Sequence, residues 1–166
     1  MTPTGGTVST QDGRVNINFP PGAVTSDTFV SIEPAEPLGP APEGFKLGET
    51  TFSVTTSPAV AEFGTPIQIC VKYSLADLAA AGGDPAALNL AYYDATAGGW
   101  VTLDTDVNTV TGFACAWTSH VSVWSILTES GGGGGGLPLG AWIGIGVGGF
   151  LVLLMIYWWG IRPRRY

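Results

Sequence analysis

One histidine, two cysteines and six basic side chains in 166 residues leave little material for most kinds of site. With His120 as the lone imidazole, a metal centre built from several histidines of one chain is excluded. A nucleophile-base pair would have to form within WTSHVSVW, where Ser119 and Ser122 lie too close along the chain to serve as partners of His120. The same shortage removes the commonest protein ligand of haem or a chlorophyll-type magnesium from the rest of the chain. Basic residues are equally sparse: thirteen acidic side chains precede the glycine run at 131–136 against only Arg14, Lys46 and Lys72, a surplus of ten negative charges. A surface of that sign repels phosphate backbones, so nucleic acid is excluded as a partner. No cofactor is expected, and neither is an enzyme.

The apolar content is concentrated at the far end, in LPLGAWIGIGVGGFLVLLMIYWWGIRPRRY. Leu137 to Gly160 contains no charged side chain, and as a helix rising about 1.5 Å per residue it would reach the roughly 30 Å of a hydrocarbon core. Trp142 at one end and Tyr157, Trp158 and Trp159 at the other are placed as interface anchors, and Arg162, Arg164 and Arg165 predict a cytoplasmic C-terminus. Gly140, Gly144 and Gly148 recur every fourth residue, a smooth stripe suited to close helix packing. The opening MTPTGGTVST shows neither a basic nor an apolar leader, which points to a late or reassigned start rather than to insertion driven by the C-terminal span itself; a tail-anchored cytoplasmic protein is the main competitor, with its arginines on the opposite side.

Before the tail, short runs rich in Val, Ile, Thr, Phe and Tyr alternate with Gly, Pro, Asn and Asp, as in antiparallel all-β domains. Strands are predicted near residues 7–10, 14–19, 28–34, 47–55, 67–73, 89–94, 100–104, 109–117 and 121–127. In VNINF the residues Val15, Ile17 and Phe19 share one face, and in PIQICVKY so do Ile67, Ile69, Val71 and Tyr73. SLADLAAAGG reads as a short helix capped by Ser74 or Asp77 and stopped at Gly82-Gly83. The proline-rich stretches around 34–48 and 55–66 are long crossover connections. The predicted organisation is a β-sandwich over 1–129, a poly-glycine linker over 130–136, a single transmembrane helix over 137–160 and a basic cytoplasmic tail over 161–166.

The stretch GGTVSTQDGRVNINFPPGAVTSDTFVSIEP carries the most specific pattern: Gly5-Gly6 before a strand, Asp12-Gly13 as a tight turn, the Pro20-Pro21-Gly22-Ala23 corner, then a strand at 29–33. It resembles the start of the β-sandwich module shared by ankyrins, netrin receptors and tight-junction scaffolds. The resemblance covers roughly the first 35 residues, and implies a sandwich fold and a habit of docking other proteins without catalysis.

Two further motifs invite chemistry. Asp104, Asp106 and Asn108 mimic the start of a calcium loop, but the sixth and twelfth positions are Thr109 and Cys115 where Gly and Glu belong, so a hairpin turn built on Asp106 and Asn108 is the stronger reading. Cys70 and Cys115 lie in separate predicted strands, and both a disulfide and two free thiols are compatible with the sequence. Periodicity puts Cys70 with Gln68 and Lys72 but Cys115 with Phe113 and Trp117, so a bridge would need a bulge to bring the two together.

Taken together, these features predict a non-catalytic accessory subunit of a multisubunit membrane complex, of the kind respiratory and photosynthetic assemblies acquire. Its partners would be other membrane subunits and the lipid bilayer. It would sit in the plasma or inner membrane with a single pass, the sandwich periplasmic or extracellular. The alternative is a stand-alone surface binding or adhesion module on a flexible tether.

Overall fold

The computed structural model describes residues 1–129, and its elements follow from the alternation of the sequence. Ten strands run in the order β1 Gly6–Ser9, β2 Val15–Phe19, β3 Phe29–Pro34, β4 Phe45–Ser57, β5 Ile67–Lys72, β6 Leu88–Asp94, β7 Gly99–Thr102, β8 Asp106–Asn108, β9 Phe113–Thr118 and β10 Val123–Glu129. Between β5 and β6 lie a helix, α1 Leu75–Ala80, and a 3-10 turn over Pro85–Ala87. All pairings are antiparallel and make two sheets, β1-β2-β5-β9-β8 and β3-β4-β10-β6-β7. Residues 1–129 therefore form a two-sheet all-β sandwich, as their alternating patterns predict.

The core lies between the sheets. Val15, Ile17 and Phe19 of β2, and Ile67, Ile69 and Val71 of β5, are buried as their alternation requires, and meet Phe52, Val54, Leu88, Leu90, Trp124 and Ile126 from the second sheet. A smaller cluster forms on the outer side of the second sheet, where Ala91, Trp100 and Leu127 are buried beneath Ala41, Phe45 and Tyr93. The proline-rich crossover between β3 and β4 thus covers apolar surface that the second sheet would otherwise expose.

Local chemistry fixes the ends of the elements. The turn between β1 and β2 is closed by Gly13 N–H on the Thr10 carbonyl (2.9 Å), with Gly13 at φ +68° and Asp12 Oδ1 accepting from Arg14 N–H (3.1 Å). Only the glycine adopts positive φ, so the loop is longer than the two-residue turn that Asp-Gly suggests. At α1 a reciprocal cap forms: Ser74 Oγ accepts from Asp77 N–H (3.0 Å) and Asp77 Oδ2 accepts from Ser74 N–H (2.8 Å). Asp77 is 1% exposed, and its Oδ1 also accepts from Glu49 N–H (3.0 Å), which joins the helix to β4 where the register between β4 and β10 shifts. Gly48 permits that approach, because a Cβ there would stand 2.5 Å from Asp77 Oδ1 and 3.0 Å from the Ile126 carbonyl oxygen.

The C-terminal half of the expectation requires correction. Among the described residues no helix is long and apolar enough to cross a membrane. The longest, α1, has six residues, about 9 Å of rise against a hydrocarbon core of about 30 Å. Residues 137–160, on which the transmembrane helix was expected, lie outside the described residues, as do the linker and the basic tail. The single-pass topology, the lipid-bilayer and membrane-subunit partners, the plasma or inner membrane location and the role as a docked subunit of a membrane complex all rested on that helix. No described element carries any of them.

Candidate functional site

The longest free edge in the second sheet belongs to β3, and its hydrogen-bonding groups can be assigned by parity. Thr28, just before the strand, pairs away from the sheet, its N–H donating to the Met1 carbonyl (2.8 Å) and its carbonyl accepting from the Met1 amino group (2.5 Å). Ala35, just after it, donates inward to the Thr51 carbonyl (3.1 Å). Because backbone groups alternate along a strand, Val30 and Ile32 present their N–H and C=O on the same outer side as Thr28, while Ser31 and Glu33 bond to β4. Phe29, at the start of this edge, is 83% exposed. No lysine or mid-strand proline interrupts it, and such devices are the usual protection of edges against added strands.

A cleft of about 200 Å³ lies beside this edge, lined by Thr10, Asp12 and Arg14 of the β1–β2 turn, Ile32 and Glu33 of β3, and Glu49 of β4. It holds three carboxylates against one guanidinium, over an apolar floor that includes Val15 and Phe52. The Asp12 carboxyl is held below the usual carboxylate range by the Thr10 hydroxyl first (2.6 Å), then by Arg14 N–H and the Arg14 charge. Thr50 Oγ1 is buried at the same cleft and has no hydrogen-bond partner among the described residues.

Elsewhere, His120 makes no hydrogen bond through its ring to either neighbouring serine. Its ring lies edge-on to Tyr92 (centroids 4.3 Å apart) and stacks near Trp124 (6.0 Å), with Nδ1 3.3 Å from Thr118 Oγ1. Ser122 is spent on the Tyr93 carbonyl (2.7 Å). The cluster opens on Asp94, whose carboxyl is lowered first by Ala97 N–H, then by Thr96 N–H, with the His120 charge a minor contributor. Its aromatic members come from three elements, a grouping that sequence spacing did not reveal.

Asp106 sits in β8 rather than in a turn, and only Asn108 performs the expected turn chemistry, accepting from Val110 N–H and Thr111 N–H (3.0 Å each). Among the described residues no group of three or more His, Cys, Asp or Glu side chains is arranged to hold a metal. Cys70 and Cys115 are bonded to each other and are direct register partners across β5 and β9. No bulge is needed, because Phe113, Cys115 and Trp117 face outward while the small Ala114 and Ala116 face the core. The expected helix-packing glycines Gly140, Gly144 and Gly148, the anchors Trp142, Tyr157, Trp158 and Trp159, and the topology residues Arg162, Arg164 and Arg165 lie outside the described residues.

Compared with known proteins, the sequence matches no family model and no curated protein. The two-sheet sandwich agrees with the fold implied by the resemblance of residues 5–33 to the ankyrin, netrin-receptor and tight-junction module, at the level of architecture.

Proposed function

We propose that this chain is a non-catalytic protein-interaction module, which docks an extended, basic segment of a partner along the free edge of β3. The observation that carries this reading is the edge itself: the backbone N–H and C=O groups of Val30 and Ile32 point away from β4 beside an 83% exposed Phe29, and Thr28 on the same line is already paired by main chain from Met1. An added strand would continue that pairing, with backbone hydrogen bonds supplying affinity and alternate side chains supplying specificity. Phe29 would cover an apolar residue of the partner. The carboxylates of Asp12, Glu33 and Glu49 beside the edge, on a domain with ten surplus negative charges, favour a basic segment.

Support also comes from the resemblance of the first 35 residues to a module that serves as a docking surface in ankyrins, netrin receptors and tight-junction scaffolds. Membership of that family is part of this proposal. So is the absence of catalysis, which the engagement of His120 with Thr118 and two aromatic rings favours.

The test places a photoreactive benzoylphenylalanine at position 29 of the full chain, expressed in its source cells, and at position 110 as a control on an exposed turn. One defined polypeptide should attach to position 29 and not to 110, and Val30→Pro should abolish the adduct while the fold is retained. An adduct that survives Val30→Pro, or none from position 29, overturns the proposal.

A further inference from the structure

The two sheets differ on their outer faces. That of the second is covered by the β3–β4 crossover, whereas among the described residues no segment covers that of the first, and strand pairing lines up Thr7, Asn18, Gln68 and Trp117 as direct neighbours on β1, β2, β5 and β9. At about 4.8 Å between strands this row is roughly 14 Å long. Trp117 is 54% exposed, and its direct cross-strand neighbour, Gln68, is not apolar. The Asn18 and Gln68 amides and the Trp117 indole N–H have no hydrogen-bond partners among the described residues, in contrast to Asn16, whose amide is held by Ser9 and Gly13.

We propose that this face is a carbohydrate-binding platform that takes an uncharged oligosaccharide along the row from Thr7 to Trp117. Three properties select that ligand. Each carboxamide offers a donor and an acceptor side by side, which matches the adjacent hydroxyls of a sugar ring. The indole gives a flat apolar surface for the C–H face of a ring, with an N–H at its edge. The charge pattern completes the match: on a domain with ten surplus negative charges, this face carries only Lys72 and Asp106, which cancel, so it complements a neutral polyol and offers nothing to an ionic ligand. Apart from Trp117 the apolar groups of this face are the half-buried Phe113 and the Cys70–Cys115 bond, a smaller apolar centre than a protein partner would ask for. The face is also held in shape before binding, since the Cys70–Cys115 bond joins β5 to β9 two residues from Gln68 and Trp117.

The inference is independent of the β3 edge, which lies on the other sheet. To test it, the full chain is labelled with 5-fluorotryptophan, the Trp117 resonance is assigned with Trp117→Phe, and uncharged hexasaccharides of the cello, xylo, manno and chito series are titrated up to millimolar concentration. At least one should shift the Trp117 resonance saturably. Trp117→Ala should then weaken binding by about tenfold or more, and Asn18→Ala or Gln68→Ala by roughly two- to tenfold each. Val110→Ala, at an exposed turn, should leave it unchanged, and unaltered melting temperatures would show that the variants are folded. If none of the four series shifts Trp117, or if binding survives Trp117→Ala, the platform is refuted. So is it if a photoreactive residue at position 117 attaches a polypeptide in cells, an outcome that leaves the β3 proposal standing or falling on position 29 alone.

Discussion

Replacing Asp77 by Ala should be among the most damaging single changes to the sandwich, although Asp77 belongs to a helix of six residues on its margin. The side chain is 1% exposed and accepts two backbone N–H groups, from Ser74 at 2.8 Å and Glu49 at 3.0 Å. Truncation leaves both donors unpaired, and a buried orphan costs about 1–3 kcal/mol. Because Ser74 is half-buried and can recruit water, we place the total near 3 kcal/mol, or about 10–15 °C in Tm for a domain of this size. Thermal unfolding of the full chain, followed by far-ultraviolet circular dichroism, measures it. Asp77→Asn, which keeps one acceptor oxygen, should lose about half as much, and Ser74→Ala, which removes only the cap on Asp77 N–H, about 1 kcal/mol. An Asp77→Ala chain within about 0.5 kcal/mol of the wild type would refute the claim that this carboxylate joins α1 to β4.

Other expectations follow from the same contacts. Gly48→Ala would push a methyl group into Asp77 Oδ1 and the Ile126 carbonyl, and should cost about 1–3 kcal/mol in the same assay. Removing the Cys70–Cys115 bond, which closes a separation of 45 residues, should lower unfolding stability by about 4 kcal/mol if chain entropy dominates; chemical denaturation of the Cys70→Ser, Cys115→Ser double variant measures this. The carboxyls of Asp12 and Asp94 should titrate below the ordinary aspartate range in a carbon-detected NMR titration, because N–H and O–H donors favour the charged form. A depressed folded-state value means that their contribution is present above the ordinary range and is lost as pH falls through the folded-state value, so Asp94→Asn should flatten the acid limb of stability. A midpoint at or above the ordinary value would contradict the turn geometry.

How much of this the sequence disclosed depended on whether side-chain size and side-chain burial agreed. In β2 and β5 they do: Val15, Ile17, Phe19, Ile67, Ile69 and Val71 are both the large residues and the inner ones, so alternation alone located the core. In β9 they conflict. The inner residues there are Ala114 and Ala116, and the large Phe113 and Trp117 face out, so reading the apolar side as the inner one misjudged how the two cysteines meet. The helix was found through its cap, but its buried face bears Asp77 while Leu75 is 87% exposed, because the helix docks by hydrogen bonds to a strand rather than by an apolar stripe. The strand β8 is three residues long with Asp and Asn at its ends, and nothing in its composition separates it from a turn. The β3 edge was legible as a strand and illegible as an edge, since strand order depends on contacts far apart in sequence. The membrane-based reading drew on residues 130–166, beyond the described sandwich, and the role proposed here stands on the sandwich itself.

The central claim is that β3 offers an open edge, and amide hydrogen exchange resolved residue by residue on the full chain tests it most directly. In the free protein Val30 and Ile32 should exchange much faster than Ser31 and Glu33, and they should become protected when the polypeptide captured at position 29 is bound. Val30 and Ile32 amides already as slow as their neighbours in the free chain, or unchanged by that partner, would contradict the account.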